Sequence, residues 1–256
     1  MTTSNESLLE SVKEKLKILR LKSSADNIQQ ILERAEKQNV STLQVIDRLL
    51  DLELERKRQC RISLKYKQSK LFEKPTIDQF DFHFHVSRMK QKARIVHLLD
   101  LAFIQQRKDI IFIGNTGLGK SYLAKCLAYA ATQAGVGALF TTAMDMINQL
   151  TAAEADHSLL KKLHLYQAPE VLAIDEVGYL PLGNHGSNLF FQVISARHEK
   201  KSTIITTNLP FADWAKIFDS TTVASAIADR LVHNSEVIIF EGPSYRTRAK
   251  AKQVDD

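Results

Sequence analysis

Hydrophobic residues recur every three or four positions through the first 70 residues, which contain no glycine and no proline. One stripe begins at Leu8, another at Ile28, and a third extends over residues 43–54. This spacing predicts three amphipathic helices in a small bundle, because residues three and four apart share one face of a helix. Ser41 or Thr42 stands where the third helix would begin, and both are typical N-cap residues.

From about residue 110 the hydrophobic residues form short continuous runs instead of helical stripes. Runs of this kind are typical of strands buried on both faces, as in a parallel sheet covered by helices. We therefore predict an α/β fold with a three-layer core around a five-stranded parallel sheet. The predicted strands lie at 109–113, 137–142, 171–174, 202–207 and 236–240.

A short stretch of different composition separates the two patterns. We expect the third helix to run to about Leu71, after which Pro75 interrupts the helical pattern. The sequence thus predicts an all-α N-terminal domain over 1–71, a basic linker leading into the core over 72–94, and the α/β domain over 95–256.

Positive charge is concentrated where these two patterns meet. The chain has a net charge of +6, but the stretch from Arg56 to Arg94 contains twelve Lys or Arg and three acidic residues, a net charge of +9. We call this stretch the basic seam. Its charge favours an acidic partner, and nucleic acid first. A solvated charged surface is the alternative interpretation.

The cysteines and the N-terminal residues bear on the compartment. Cys60 and Cys126 lack the spacing of a disulfide framework or a zinc site and fit a reducing cytoplasm. The first residues contain no basic segment followed by an apolar run, so we expect no signal peptide. No apolar stretch approaches the ~20 residues that span a bilayer. We therefore expect a cytoplasmic protein.

The segment after the first predicted strand matches the phosphate-binding pattern G-x-x-x-x-G-K-[ST] in full. Its glycines allow backbone N–H groups to point at phosphate oxygens, and the N-terminus of the following helix adds positive potential. We expect Lys120 to reach the β- and γ-phosphates of ATP and Ser121 to ligate Mg²⁺. The predicted cofactor-binding residues are Gly114, Asn115, Thr116, Gly117, Leu118, Gly119, Lys120, Ser121 and Tyr122.

Polar groups also follow the third and fourth predicted strands. We expect Asp175 to hold Mg²⁺ and Glu176 to act as the general base toward the attacking water. If one strand lies between the P-loop strand and the acidic strand, Asn208 can contact the γ-phosphate or that water. The alternative for Asn208 is a turn residue before Pro210. Together these groups indicate Mg²⁺-dependent ATP hydrolysis.

These three elements, in this order, resemble the AAA+ branch of P-loop ATPases. Further segments resemble the IstB family, the transposition helper ATPases of insertion sequences. That family is similar in turn to the replicative helicase loaders DnaC and DnaI, which share the ATPase core. The resemblance covers nearly the whole chain and rests on F-D-F at 80–82, G-Y-L-P-L at 178–182, F-F-Q-V-I-S-A-R at 190–197, S-T-I-I-T-T-N-L-P at 202–210, D-R-L at 229–231 and S-Y-R at 244–246.

The resemblance implies an active site that an arginine of the neighbouring subunit completes. Arg230 matches that position and Arg197 is a second candidate. Arg230 could instead pair with Asp229 or a neighbouring acid, and Arg197 could be a solvated helix charge. Arg246 is expected to reach phosphate within its own subunit. Because little sequence follows the fifth strand, we expect no full C-terminal lid, which also matches the family.

The resemblance further implies an ATP-dependent homo-oligomer on duplex DNA that recruits and stimulates a cognate IstA-type transposase. A helicase loader of the DnaC or DnaI type is the alternative, and an ATP switch that rarely hydrolyses is a third hypothesis. We expect DNA contacts to be made to the phosphate backbone. The candidates come from the basic seam and from residues 143–170, which leave room for two helices: Arg56, Lys57, Arg58, Arg61, Lys65, Lys161 and Lys162. A solvated face is the alternative for the last two.

Overall fold

The computed structural model describes residues 2–245, which begin with the three predicted helices. They are α1 (Thr2–Ile18), α2 (Lys22–Gln38) and α3 (Thr42–Gln68). Ser41 caps α3, since its hydroxyl accepts from the Gln44 N–H at 3.3 Å. The Gln44 side chain in turn accepts from the Ser41 N–H at 3.0 Å. This reciprocal pair satisfies two backbone donors at the start of the helix.

The remaining elements alternate between strands and helices, as the hydrophobic runs predicted. In chain order they are α4 (Val86–Leu98), α5 (Ala102–Gln105), β1 (Asp109–Gly114), α6 (Lys120–Gln133), β2 (Ala138–Thr142), α7 (Ala143–Ala155), α8 (Leu159–Gln167), β3 (Val171–Val177), α9 (Gly183–Arg197), β4 (Ser202–Thr207), α10 (Thr221–His233) and β5 (Ser235–Phe240). Three short 3₁₀ helices lie at Ile77–Gln79, Phe82–Phe84 and Phe211–Lys216.

The five strands form one parallel sheet in the order β2-β3-β4-β1-β5. The predicted α/β fold with a five-stranded parallel sheet is confirmed, and so is the strand between the P-loop strand and the acidic strand. In β1, Ile111 and Ile113 face one hydrophobic cluster, with α7, α9 and α10. Ile110 and Phe112 face the other, with α4 and α6. This alternation accounts for the continuous apolar run, because both faces of the sheet are covered.

The chain divides into two compact units between Ser63 and Leu64. We call residues 1–63 the N-terminal unit and residues 64–256 the core unit. The segment interpreted from sequence as a linker contributes to the core unit, where Leu71, Phe80 and Phe82 are buried in the hydrophobic cluster on the α6 side of the sheet. The predicted domain bounds at 71 and 94 stay predictions.

Candidate functional site

The P-loop connects the end of β1 to the start of α6. Gly117 and Gly119 have φ angles of +83° and +88°, a left-handed conformation that glycine adopts without strain. A Cβ atom on Gly119 would lie 2.6 Å from the Phe80 ring, so the backbone also needs glycine for close approach. Lys120 is buried at the start of α6, and its ammonium donates to the Asn115 carbonyl at 2.9 Å.

A cleft of about 300 Å³ opens beside this loop and brings together most of the predicted site. Along one wall lie the P-loop residues Thr116, Gly117, Gly119, Lys120, Ser121 and Tyr122. The other walls are formed by the strand ends and by two further segments, through Glu176, Tyr179, Thr206, Thr207, Asn208, Arg88 and Tyr245. The strand order brings Glu176 and Asn208 to this cleft because the carboxyl ends of parallel strands meet at one edge of the sheet.

Three predicted cofactor-binding residues do not line the cleft. The Leu118 side chain is buried in the hydrophobic cluster on the α6 side of the sheet. Gly114 lies against the neighbouring strand, where a Cβ atom would come within 2.3 Å of the Phe240 carbonyl oxygen. Asn115 presents its carbonyl to Lys120. The three therefore shape the loop, and their predicted contact with nucleotide is confined to backbone groups.

The acidic end of β3 has an irregular backbone. Its pairing with β4 shifts register between Ile174 and Val177, and Glu176 has a φ angle of +60°. The Thr206 hydroxyl on β4 donates to the Asp175 carboxylate and accepts from the Glu176 N–H at 3.0 Å. Asp175 is thereby held buried while Glu176 is exposed in the cleft. Positive φ in a residue other than glycine is uncommon and costs free energy, so neighbouring contacts must stabilise it.

The donor set fits a small hard cation. Mg²⁺ prefers hydroxyl and carboxylate oxygens together with phosphate and water, and it uses only one or two carboxylates of the protein. Ser121 at the start of α6 and Asp175 at the end of β3 supply such oxygens. No cluster of three or more His, Cys, Asp or Glu side chains suited to a metal ion occurs within residues 2–245. The residues therefore fit Mg²⁺ bound together with nucleotide better than a metal held by the protein alone.

Arg88 lies in the cleft although the sequence assigned it only to the basic seam. Its side chain is 3% exposed, and its guanidinium lies over the rings of Phe80, Phe84 and Tyr245, at 4.6, 4.8 and 5.1 Å from their centroids. Nη1 donates to the Asp81 carbonyl at 2.9 Å. Burial lowers the pKa of this arginine.

Arg197 is a structural residue, which overturns its prediction as an arginine for the neighbouring subunit. It is 1% exposed, and its guanidinium donates to five backbone carbonyls and to the Thr203 hydroxyl. The carbonyls belong to Tyr166, Gln167, Pro169, Glu170 and Ser202. Burial lowers the pKa of Arg197 to about 10, so it stays protonated at neutral pH. A side chain with these contacts cannot extend to another subunit.

Arg230 lies on α10 and does not line the cleft of its own subunit. It is half-buried, its guanidinium lies over the Phe191 ring at 4.7 Å, and it donates to the Ala226 carbonyl at 2.9 Å. The expected alternative, an ion pair with Asp229 or a neighbouring acid, is not found among the described residues. Arg246 lies outside the described residues, as does the sequence on which the predicted lack of a full lid depends.

The predicted DNA-binding residues differ in how far their charges are already paired. Arg56 pairs with the buried Glu53 at 2.5 Å, and Arg58 lies 3.9 Å from Glu55. Lys57 and Arg61 are exposed on the same helix. Lys65 is half-buried near the end of α3; on α8, Lys161 is exposed and Lys162 half-buried. Lys57, Arg61 and Lys161 are therefore the most accessible of the predicted contacts.

Sequence reasoning missed Arg88, Tyr179 and Tyr245 as cleft residues and chose Asn208 over Thr206 in the same strand end. One sequence pattern could have identified Arg88. This arginine closely follows the aromatic segment 80–84, and arginine near several aromatic rings often forms a stacked cluster. The bridging role of Thr206 depends on a contact between two strands, which no local pattern contains.

Comparisons with known proteins place these features in a family. A model of the family described as IstB-like ATP binding protein matches residues 14–253. An ATP-binding protein of insertion sequence IS5376 from Geobacillus stearothermophilus is 38% identical over 235 residues, 92% of this chain and 93% of that protein. The corresponding protein of IS21 from Pseudomonas aeruginosa is 33% identical over 234 residues, 91% of this chain and 88% of that protein.

Solved structures share the fold. The crystal structure of the DnaC helicase loader is similar with a TM-score of 0.57 and 24% identity, over 65% of this chain and 97% of that chain. DnaA from Aquifex aeolicus, bound to AMPPCP, has a TM-score of 0.57 and 15% identity, over 73% of this chain and 56% of that chain.

Within residues 2–245, no helix is both long and apolar enough to cross a bilayer.

Proposed function

The chain belongs to the family of IstB-like ATP binding proteins, and from that premise we propose that it is the ATPase helper of a DNA transposition system. In this proposal it hydrolyses ATP with Mg²⁺, forms a homo-oligomer on duplex DNA, and recruits and stimulates its cognate IstA-type transposase. The insertion-sequence origin of its relatives supports the setting. The free cysteines, Cys60 and Cys126, fit the reducing cytoplasm in which we place it.

The observation that carries the proposal is the convergence of three predicted elements in one cleft. The P-loop, Glu176 and Asn208 come from separate strand ends, and all line the same space of about 300 Å³. A P-loop alone would serve nucleotide binding. Hydrolysis also requires groups that activate and orient water, and a carboxylate and an amide lie opposite the P-loop for that task.

In the bound state, the backbone of the P-loop would surround the phosphates and Lys120 would leave the Asn115 carbonyl to contact them. Its loss of one hydrogen bond to a neutral carbonyl is offset by stronger, charge-assisted bonds to phosphate. Ser121 and Asp175 would hold Mg²⁺, which neutralises part of the phosphate charge during transfer.

For hydrolysis, Glu176 would accept a proton from the attacking water while Asn208 orients that water or the γ-phosphate. The exposed carboxylate of Glu176 is free to reach a water because Thr206 occupies its backbone N–H and not its side chain. Asp175, by contrast, is tied to the Thr206 hydroxyl through its carboxylate. The two neighbouring acids therefore have different roles, one fixed and one reactive.

Arg230 would complete the site of a neighbouring subunit. It lies outside its own cleft, the Phe191 ring lies under its guanidinium, and the Ala226 carbonyl accepts from Nη1. An arginine supplied in this way stabilises negative charge in the transition state and raises turnover by roughly 10³-fold or more. Assembly would thus control hydrolysis.

Glu176→Gln tests the hydrolytic part of the proposal. The amide keeps the shape of the side chain and removes the base, so we expect ATP binding to persist while turnover falls by roughly 10²- to 10⁴-fold. Binding is measured by calorimetry and turnover by phosphate release. Turnover at the wild-type rate would exclude Glu176 as the base.

Salt dependence tests the DNA part. Binding to a duplex should weaken with salt, with a log–log slope of roughly −0.9 for each phosphate contacted. Lys57→Gln with Arg61→Gln should flatten that slope by roughly two contacts. The matched control is Arg34→Gln with Lys37→Gln, which removes two exposed charges of α2 outside the basic seam. Equal slopes in both double variants would argue against the seam as the DNA surface.

The helicase-loader hypothesis is tested by partner choice. The likeness to DnaC concerns the fold, whereas the more similar relatives are insertion-sequence proteins. We therefore expect the purified chain with ATP and DNA to retain the transposase encoded beside it and not the replicative helicase. Retention of the helicase alone would favour the loader function.

A further inference from the structure

Arg88 lies beside the P-loop and is surrounded by aromatic rings. It belongs neither to the P-loop nor to the polar ends of β3 and β4. The guanidinium of Arg88 lies over three aromatic rings that come from two distant parts of the chain, Phe80 and Phe84 before α4 and Tyr245 after β5. Phe84 and Tyr245 also contact each other edge to face, with ring centroids 4.9 Å apart. The cage therefore fixes the position of the guanidinium and covers it with rings.

The charge of this arginine has no ion-pair partner within residues 2–245. Among the described residues, no carboxylate lies within ion-pair distance of Arg88. Its Nε is buried and has no hydrogen-bond partner in the part of the chain that the structure describes, whereas Nη1 donates to the Asp81 carbonyl. A buried cation is costly unless an anion or several acceptors accompany it. An anion that enters the cleft would supply the negative charge and the hydrogen-bond acceptors that the Arg88 guanidinium needs.

The arginine lies beside a defined part of the P-loop. A Cβ atom built on Gly119 would lie 3.3 Å from Arg88 Nη2, so no side chain separates the guanidinium from the loop backbone there. Gly119 directly precedes Lys120, and backbone N–H groups of this part of a P-loop surround the α- and β-phosphates. Because aromatic rings contact the guanidinium plane, its remaining interactions would be made by N–H groups, which suit phosphate oxygens.

We propose that Arg88 binds the α- and β-phosphates of nucleotide within its own subunit, as a second cation beside Lys120. The inference rests on the proposed nucleotide binding and adds to it a residue that no motif contains. It also gives the aromatic cage a purpose, which is to hold a charged group at the loop before nucleotide arrives. Pre-positioning of this kind lowers the entropy lost on binding.

The test compares Arg88→Met with the wild-type chain in calorimetric titrations with ATP, ADP and inorganic tripolyphosphate. We expect all three affinities to fall by a similar factor, on the order of 10- to 100-fold, because each ligand offers the same phosphate oxygens. The matched control is Lys125→Met, which removes a cation of α6 that lies over the Phe140 ring of β2, outside the cleft. Its affinities should equal those of the wild type.

Each alternative outcome has a distinct pattern. Unchanged affinities in Arg88→Met, with a lower melting temperature, would overturn the proposal and leave Arg88 a purely structural residue. A loss for ATP and ADP without a loss for tripolyphosphate would overturn it in favour of a contact with the nucleoside. If the wild-type chain binds none of the three ligands, the proposed function itself fails, and that is visible before any variant is made.

A second measurement avoids substitution. In ¹⁵N-edited spectra of the wild-type chain, the Nε–H resonance of Arg88, assigned with Arg88→Lys, should shift when tripolyphosphate is added. A resonance that does not move at saturating ligand would overturn the proposal even if Arg88→Met does not fold.

Discussion

The core unit and the N-terminal unit bury their hydrophobic residues to very different extents. In the core unit, Ile110, Ile111 and Phe112 of β1 are 0% exposed, and both faces of the sheet are covered. In the N-terminal unit, Leu43 is 75% exposed and Leu54 is 65% exposed. The core unit therefore draws stability from its own packing, while the N-terminal helices leave much apolar surface in contact with solvent.

In each unit a buried carboxylate organises its surroundings, Glu53 in the N-terminal unit and Asp109 in the core unit. Glu53 accepts from the Ser23 N–H at 3.1 Å and pairs with Arg56. Asp109, at the start of β1, accepts from the Thr203 N–H at 2.6 Å. The hydrogen bond from Arg56 holds the pKa of Glu53 below its ordinary value, whereas burial raises the pKa of Asp109 to about 7. The same side-chain chemistry thus responds to pH in opposite directions.

The largest expected effect separates the two units by function. Lys120→Ala removes the cation that the P-loop carries at the start of α6, and ATP affinity should fall more than about 100-fold. Helix content should stay as in the wild type, because alanine has a high helix propensity and keeps the start of α6 helical. Calorimetry and circular dichroism measure the two quantities. ATP affinity equal to that of the wild type would contradict the P-loop assignment.

The next effect concerns assembly of core units. Arg230→Ala should reduce turnover by roughly 10³-fold and leave ATP binding within about 2-fold, because in the proposed mechanism binding uses one subunit and hydrolysis two. Mixing this variant with Glu176→Gln should restore part of the activity, since a mixed interface can combine an intact arginine with an intact base. Light scattering with duplex DNA measures the oligomer. A chain that stays monomeric with ATP and DNA would refute the shared site.

Stability of the core unit should depend strongly on Arg197. Arg197→Met removes the guanidinium that donates to the Tyr166, Pro169 and Ser202 carbonyls, and it removes the positive charge near Asp109. We expect a loss of about 3–5 kcal/mol in the free energy of unfolding. Urea denaturation followed by Trp214 fluorescence reports on this unit, because Trp214 is buried there. A loss below about 1 kcal/mol would show that the hydrogen bonds are not needed.

A smaller effect is expected in how the free energy of unfolding of each unit depends on pH. Glu53 has a lowered pKa in the folded state, so its contribution is present above its ordinary value of 4.5 and is lost as the pH falls through the lowered value. Asp109 has a raised pKa, so its contribution is present below 3.8 and is lost as the pH rises through about 7. Glu53→Gln and Asp109→Asn should each remove one of these trends from unfolding curves recorded between pH 3 and 8.

The smallest effect should come from the exposed face of α3. Leu43→Ser and Leu54→Ser remove side chains that are mostly in solvent already, so each should change the free energy of unfolding by no more than about 0.5 kcal/mol. Ile31→Ala is the contrast within the same unit, since Ile31 is buried and its truncation should cost about 2–4 kcal/mol. Equal losses in the three variants would mean that Leu43 and Leu54 are packed as tightly as Ile31.

Most of the architecture could be predicted because its causes are local. Each strand is a continuous apolar run, each helix has its own stripe, and the P-loop is one segment between β1 and α6. Asp175, Glu176 and Asn208 were identified because they end predicted strands. Glu176 and Asn208 meet in one cleft because the strands that carry them are parallel and adjacent.

The errors have the opposite cause, since they depend on contacts between distant residues. Arg197 resembled a surface charge on a helix, yet it donates to carbonyls that lie about 30 residues earlier in the chain. Arg88 was counted as one of twelve basic residues, but Tyr245 comes from beyond β5 to cover it. No spacing rule within a single segment contains either contact.

The strand order also determines when the nucleotide site can exist during synthesis. Ile110 of β1 pairs with Ile204 of β4 and with Glu236 of β5. The strand that leads into the P-loop therefore cannot complete its pairing until both later strands have been synthesised. Pairings of such long sequence separation close slowly, whereas the helices of the N-terminal unit need only nearby residues. ATP binding would therefore mark the last stage of folding, and a nascent chain that holds nucleotide has already completed its sheet.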